Sequence, residues 1–159
     1  MKQLLATAAL VITAAAPANA SVYTVLRNNS LTRDLESVGT KVSFSGKHCD
    51  EPIYGYYKPA TNHLVVCVAN HVENGEMDYS ELGDTLRHEA MHVAQTCNGK
   101  GTAVPILSWT TISKYSNNRI LSIVQRYAPE DQHIEYEAFT AAAVMSNQQV
   151  GKIVKDYCL

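Results

Sequence analysis

No cluster of basic residues occurs anywhere in this chain, and that absence already narrows what it does. Thirteen Lys and Arg stand against fifteen Asp and Glu, a formal net charge of −2, with no basic run to follow a phosphate backbone or an anionic lipid surface. Nucleic acid and anionic membrane are therefore not expected as partners. Beyond the N-terminus no apolar run approaches the ~20 residues that a spanning helix needs, so the mature chain is expected to be off the membrane. No CxxC pair is present, which removes the usual spacing of a cysteine zinc site. Internal repeats and low-complexity segments are also missing, leaving a globular domain as the default.

What is there begins with an export signal. Met1-Lys2 precedes an apolar stretch from Leu4 to Ala16, and Ala18 and Ala20 fit the A-x-A cleavage rule. Residues 1–20 read as a signal peptide, which predicts a secreted or periplasmic chain starting at Ser21. Loss of Lys2 brings its charge to about −3, and residues 21–159 suffice for one core and one domain.

The mature chain reads as α+β. Ser30 can cap a short helix through Leu31, Leu35 and Val38, stopped by Gly39. Lys41 to Ser45 alternates as a half-buried strand. Two β-prone runs, Ile53–Tyr57 and His63–Val68, flank a connection of hairpin length at Lys58–Asn62, which predicts a small antiparallel sheet. The segment from Asn70 to Asp78 reads as loop. Asp78 or Ser80 then caps a long helix whose Leu82, Leu86, Ala90 and Val93 face the core, while Thr85, His88, His92 and Gln95 share another face. Gly99 and Gly101 end it. Helical spacing resumes from Pro105 to Tyr127 with a break near Asn117-Asn118, a third long helix opens at Pro129-Glu130-Asp131, and a short one runs from Val150 to Tyr157.

His88-Glu89-Ala90-Met91-His92 is an HExxH run on the first long helix. At 3.6 residues per turn, positions i and i+4 share a face, so both imidazoles can reach one metal ion. The carboxylate of Glu89 stands where a general base is needed. A catalytic zinc takes a third protein ligand and keeps one open position, and the helix from Pro129 offers Glu135 and Glu137. These lie about 200° apart around a helix, so only one can face the metal.

Four cysteines, Cys49, Cys67, Cys97 and Cys158, are an even number in an exported chain and predict two disulfides. Three connectivities are open and the sequence does not choose among them; the favoured pairs are Cys49 with Cys67, which would tie two neighbouring extended segments, and Cys97 with Cys158, which would pin the C-terminus to the end of the HExxH helix.

A strand pair, a helix with HExxH and a later helix bearing Glu135-Tyr136-Glu137-Ala138 together resemble the gluzincin metallopeptidases, especially their compact single-domain members. The resemblance spans roughly residues 53 to 145. It implies a zincin-like fold with Zn2+ held by His88, His92 and Glu135, Glu135 being matched through the alanine of the clan's E-x-x-A-D pattern at Ala138. It further implies a water on zinc activated by Glu89. Phe139 stands where the clan often has an aspartate that orients a histidine, so that carboxylate must come from elsewhere, and Glu137 remains the alternative ligand. No HExxHxxGxxH extension exists. His48, His63 and His71 have no histidine at i+4, and His133 reads as a polar contact.

The expected function is thus an exported zinc metallopeptidase acting on a peptide or protein substrate. The His63–Val68 strand is the expected edge for an extended peptide, and Tyr127, Tyr136 and His133 are candidates for a donor to the oxyanion. A zinc amidohydrolase acting on a cell-wall or other non-peptide amide, and a non-catalytic disulfide-stabilised binding module, are the alternatives. The intact Glu89 argues against the module, because a purely structural site needs no base.

Overall fold

The computed structural model describes residues 18–115 and 117–159. The expected signal peptide lies almost wholly outside them. Residues 18–20 open the first helix, α1 (Ala18–Arg27), which lays Val22 and Leu26 into the core. A short link leads to α2 (Ser30–Ser37), where the cap is Asn29 rather than Ser30: its side chain accepts from the Leu31 amide at 2.9 Å. Leu31 and Leu35 are fully buried. Gly39, at φ +83°, takes the left-handed turn that stops the helix.

The molecule is mixed α+β. Strands β1 (Lys41–Ser43), β2 (Gly55–Lys58) and β3 (His63–Val66) form one sheet in the order β1-β3-β2. The sheet is not purely antiparallel as expected. β2 and β3 make the predicted hairpin, but β1 runs parallel to β3, with Lys41 opposite His63 and Ser43 opposite Val65. This makes β3 central, which suits its buried Leu64-Val65-Val66 run, and leaves it no free edge for a peptide. Asn62 fixes the arrangement. It closes the hairpin in the left-handed region at φ 45°, its Nδ2 donates to the Gly39 carbonyl, and its Oδ1 accepts from Thr40 Oγ1 and the Tyr57 hydroxyl.

The polar stretch expected as loop holds a small second sheet, β4 (Val72–Glu73) with β5 (Glu76–Met77). Asn74 and Gly75 between them both have positive φ, 52° and 83°, the requirement of a two-residue type I′ turn. Asp78 then caps α3 (Tyr79–Asn98) by accepting from the Glu81 amide at 2.9 Å. Leu82, Leu86, Ala90, Val93 and Ala94 bury one stripe of this helix.

The Pro105–Tyr127 region is broken as expected, into α4 (Trp109–Ile112) and α5 (Asn118–Val124), the latter capped by Asn117. α6 (Gln132–Val144) and α7 (Asn147–Cys158) complete the fold, α7 starting from a reciprocal Ser146–Gln149 capping box. Helix α3 lies between the sheet and the α6–α7 pair. Arg87 ties these helices together, its Nε donating to the Ala142 carbonyl at 2.9 Å and its Nη1 to Asn147 Oδ1 at 3.1 Å. No described helix is long and apolar enough to cross a membrane.

Both disulfides join the expected partners, Cys49 to Cys67 and Cys97 to Cys158, with sequence separations of 18 and 61. Two such bridges suit an oxidising compartment. Loop-closure entropy scales with these separations, so removing Cys97–Cys158 by paired serine substitution should cost about 4 kcal/mol and removing Cys49–Cys67 about 3 kcal/mol. Urea unfolding of the two double variants beside the oxidised parent measures both losses. Equal or negligible losses would contradict a chain-entropy origin.

Candidate metal centre

The HExxH pattern folds as its spacing requires. His88 and His92, one turn apart on α3, bring their Nε2 atoms to 3.0 Å. Glu135, in the first turn of α6, faces both: Oε2 is 3.4 Å from His88 Nε2 and Oε1 is 3.5 Å from His92 Nε2. Ligands in tetrahedral positions about 2.0–2.1 Å from one ion stand about 3.3–3.4 Å from each other, and one ligand atom from each of these residues lies within 4.8 Å of the other two, so the triangle they form is compact enough for a shared metal. Glu135 Oε2 is buried with no hydrogen-bond partner, an isolated acceptor that a cation would satisfy. Among the described residues, His88, His92 and Glu135 form the group able to hold a metal ion.

Glu137 does not join them. Its carboxylate is fully buried on another face of α6 and accepts from Gln95 Nε2 at 2.7 Å, from the Ile106 amide at 2.9 Å and from the Leu107 amide. Gln95 Nε2 also donates to the Ile134 carbonyl at 3.0 Å. Both of its partners only accept, so the amide orientation is fixed and Oε1 must face His92 Nδ1, 2.8 Å away. His92 therefore carries its proton on Nδ1 and presents the Nε2 lone pair to the triangle. An acidic support thus reaches His92 from Glu137 through Gln95. Phe139 packs its ring against His88 with centroids 4.3 Å apart, and His88 Nδ1 has no partner.

Burial pushes both imidazoles down to about 4, with His88 adding to the effect at His92. Both are neutral at pH 7, the state a ligand requires. Burial, then repulsion from Glu135, pushes the Glu89 carboxyl up to about 8, against the pull of the Tyr57 backbone amide. Burial also raises Glu135. A divalent cation in the triangle would oppose the upward push on both carboxyls.

The position of Glu89 depends on a glycine that sequence reading passed over. A Cβ at Gly55 would stand 2.7 Å from Thr85 Cγ2, 3.0 Å from the Val65 carbonyl oxygen and 3.1 Å from Glu89 Cγ. Only a residue without a side chain lets β2 come this close to α3. Beside this contact lies a cleft of about 500 Å³ bordered by Gly55, His88, Glu89, Tyr127 and Phe139.

The remaining candidates are elsewhere. His48 pairs with Glu51 at 2.8 Å on the surface, His63 meets Ser43 Oγ at 2.9 Å, and His71 is buried against the Tyr54 carbonyl at 3.3 Å. His133 meets the edge of Trp109, and Tyr136 stacks on the same indole. Tyr127 lies in the cleft. Burial, with Glu135 and Glu89 adding to it, pushes its hydroxyl up to about 12.

Residues 22–159 match the family described as Domain of unknown function (DUF8637), and the chain belongs to it. No curated protein and no solved structure matches the chain.

Replacing Gln95 with Leu should weaken metal binding about 10–100-fold, measured by competition with a chromogenic chelator. An unchanged affinity would mean that packing alone orients His92. A second expectation concerns protons. Glu89 ionises near 4.5 when unfolded and near 8 in the metal-free fold, so between these values the folded state binds the extra proton and stability falls as pH rises. Glu89→Gln has no such term. Its stability relative to the parent, both metal-free, should grow from pH 5 to pH 8 in denaturant titrations. A constant difference would contradict the raised carboxyl.

Proposed function

We propose that this chain is an exported zinc metallopeptidase with a zincin-like fold of the gluzincin type, hydrolysing peptide bonds with Glu89 as general base. The observation that carries this reading is the convergence of the two HExxH imidazoles and Glu135 on a triangle compact enough for a shared metal, with Glu89 at the cleft beside it. Two imidazoles and one carboxylate make a donor set suited to zinc, and three protein ligands leave the open position of a catalytic rather than a structural site. When bound there, zinc supplies Lewis acidity, lowering the pKa of a water and polarising a carbonyl.

The chain's own groups divide the rest of the work. Glu89 takes the proton from the attacking water and returns it to the leaving amine. Tyr127 is protonated throughout the neutral range and borders the same cleft, which supports it as the donor to the oxyanion. The edge strand next to α3 is β2, not β3. Tyr54 and Cys67 are hydrogen-bonded across the hairpin, so alternation turns the backbone groups of Gly55 and Tyr57 away from β3. The Tyr57 amide is taken by Glu89, which leaves the backbone groups of Gly55 for pairing with an extended peptide.

Elemental analysis of the zinc-reconstituted mature chain should give about one zinc per molecule, retained in Glu89→Gln and lost in Glu135→Ala. Hydrolysis of a mixed peptide library should fall by about 10²–10⁴-fold in Glu89→Gln. A parent chain that takes up no metal would overturn the proposal. So would a metal-loaded chain whose hydrolysis is unaffected by Glu89→Gln.

A further inference from the structure

The lining of the cleft is unequal on its two sides. Its volume of about 500 Å³ falls in the range of small-ligand sites, and most of its apolar lining, Ile120, Ile123, Phe139, Ala142 and Ala143, comes from α5 and α6, with Ile53 and Tyr54 added from the segment before β2. It reaches His88 and Glu89 but is not bordered by His92 or Glu135, so it opens on the side of the base. A leaving amine has to come to Glu89 to receive its proton. The residue that carries that amine therefore occupies this cleft.

Charge on the cleft wall then decides what that residue is. Arg119 is the one cation among the lining residues, and its guanidinium has no hydrogen-bond or ion-pair partner among the described residues. Asn117 lies beside it in sequence and also lines the cleft. Its Oδ1 is occupied by the Ile120 amide at 2.9 Å, which leaves its amide N–H groups without an acceptor among the described residues. On the α3 side, Asp84 is already paired with Arg87, while Glu81 keeps its negative charge, because burial lowers the pKa of His71, 3.7 Å away, and leaves that imidazole neutral. The cleft thus combines an apolar surface with two exposed side chains whose donor groups no described residue engages, one of them a planar fork that fits a carboxylate bidentately.

We propose that this cleft is a subsite for a C-terminal residue: an apolar side chain rests on the α5–α6 surface, and its free carboxylate binds Arg119 with help from Asn117. This rests on the peptidase reading and sharpens it. The enzyme would remove short apolar ends from peptides in preference to cutting within chains. Water adds across the last peptide bond, Glu89 delivers the proton to the leaving nitrogen, and the products are the shortened acid and a free amino acid.

The test uses one N-acetylated oligoalanyl-leucine peptide as the free acid and as its C-terminal amide. Binding is measured by calorimetry on the zinc-loaded Glu89→Gln protein, and hydrolysis on the zinc-loaded parent. The acid should bind, and be cleaved, at least about tenfold better, since a hydrogen bond to a charged group contributes that much or more. Arg119→Gln should bring acid and amide to within about twofold of each other, and Arg119→Lys should keep part of the preference. Equal handling of acid and amide by the parent would overturn the proposal while leaving the peptidase reading intact. A preference that survives Arg119→Gln would also overturn it, because the carboxylate would then be bound elsewhere, on the metal included. Acid-selective binding that depends on Arg119, with no hydrolysis of either peptide, would support the subsite and sink the peptidase reading.

Discussion

The burial of one carboxylate sets the terms for the rest of the structure. Glu137 is inaccessible to solvent and bonded to Gln95 of α3 and to the backbone amides of Ile106 and Leu107, so it joins two helices and the segment that connects α3 to α4. Taking away a partner of such a group leaves a buried polar or charged atom unmatched, which costs several kcal/mol in comparable sites. The same demand reaches the metal triangle. Gln95 has to commit its amide protons to Glu137 and Ile134, so only its oxygen is left for His92, and the tautomer of that imidazole follows from satisfying a carboxylate outside the His88–His92–Glu135 cluster.

The two histidines are consequently unlike. His92 is held by a directional hydrogen bond, and His88 by the face of Phe139 with a buried Nδ1 that nothing contacts. Desolvation keeps both neutral, and the same desolvation makes a charged Glu89 costly in the metal-free protein. A dry pocket therefore favours lone pairs on the nitrogens and a proton on the carboxyl until a cation enters. The close pass of β2 over α3 at Gly55 holds Glu89 inside that pocket and beside the cleft.

Much of this was legible in the residues because it is local. Helical periodicity put His88, His92 and Gln95 on one face of α3 apart from its buried stripe, and cap chemistry placed its two ends. The hairpin followed from short-range rules, and the even number of cysteines announced two disulfides, but the choice among three pairings, one bridge spanning 61 residues, was not fixed by the residues themselves. Non-local choices were not legible. Whether β1 joins β3, and in which direction, depends on Asn62 reaching back to Gly39 and Thr40, and that single pairing covers β3 and leaves β1 and β2 as the edges of the sheet. The opposite directions of Glu135 and Glu137 follow from helix geometry, but which of them meets the histidines depends on how α6 is rolled against α3. The Asn74-Gly75 turn carried a usable signal, missed because its strands are only two residues each. Gly55 had no signal at all, since its importance lies in Thr85 and Glu89 thirty residues onward.

The Cys97–Cys158 bridge has a consequence for the order in which the chain takes shape. Helix α3 ends at one half-cystine, while the other comes 61 residues later, at the end of α7, and the helical surface that covers α3 lies on α6 and α7, in the last third of the described chain. During synthesis the β2–β3 hairpin can form as soon as it emerges, but α3 leaves the ribosome with Leu86, Ala90 and Val93 uncovered and must wait for α6 and α7. Glu135 arrives in that same late stretch. The segment bearing both histidines thus emerges with its apolar stripe exposed, sticky toward other nascent chains, and cannot meet Glu135 until the C-terminal helices fold back over it.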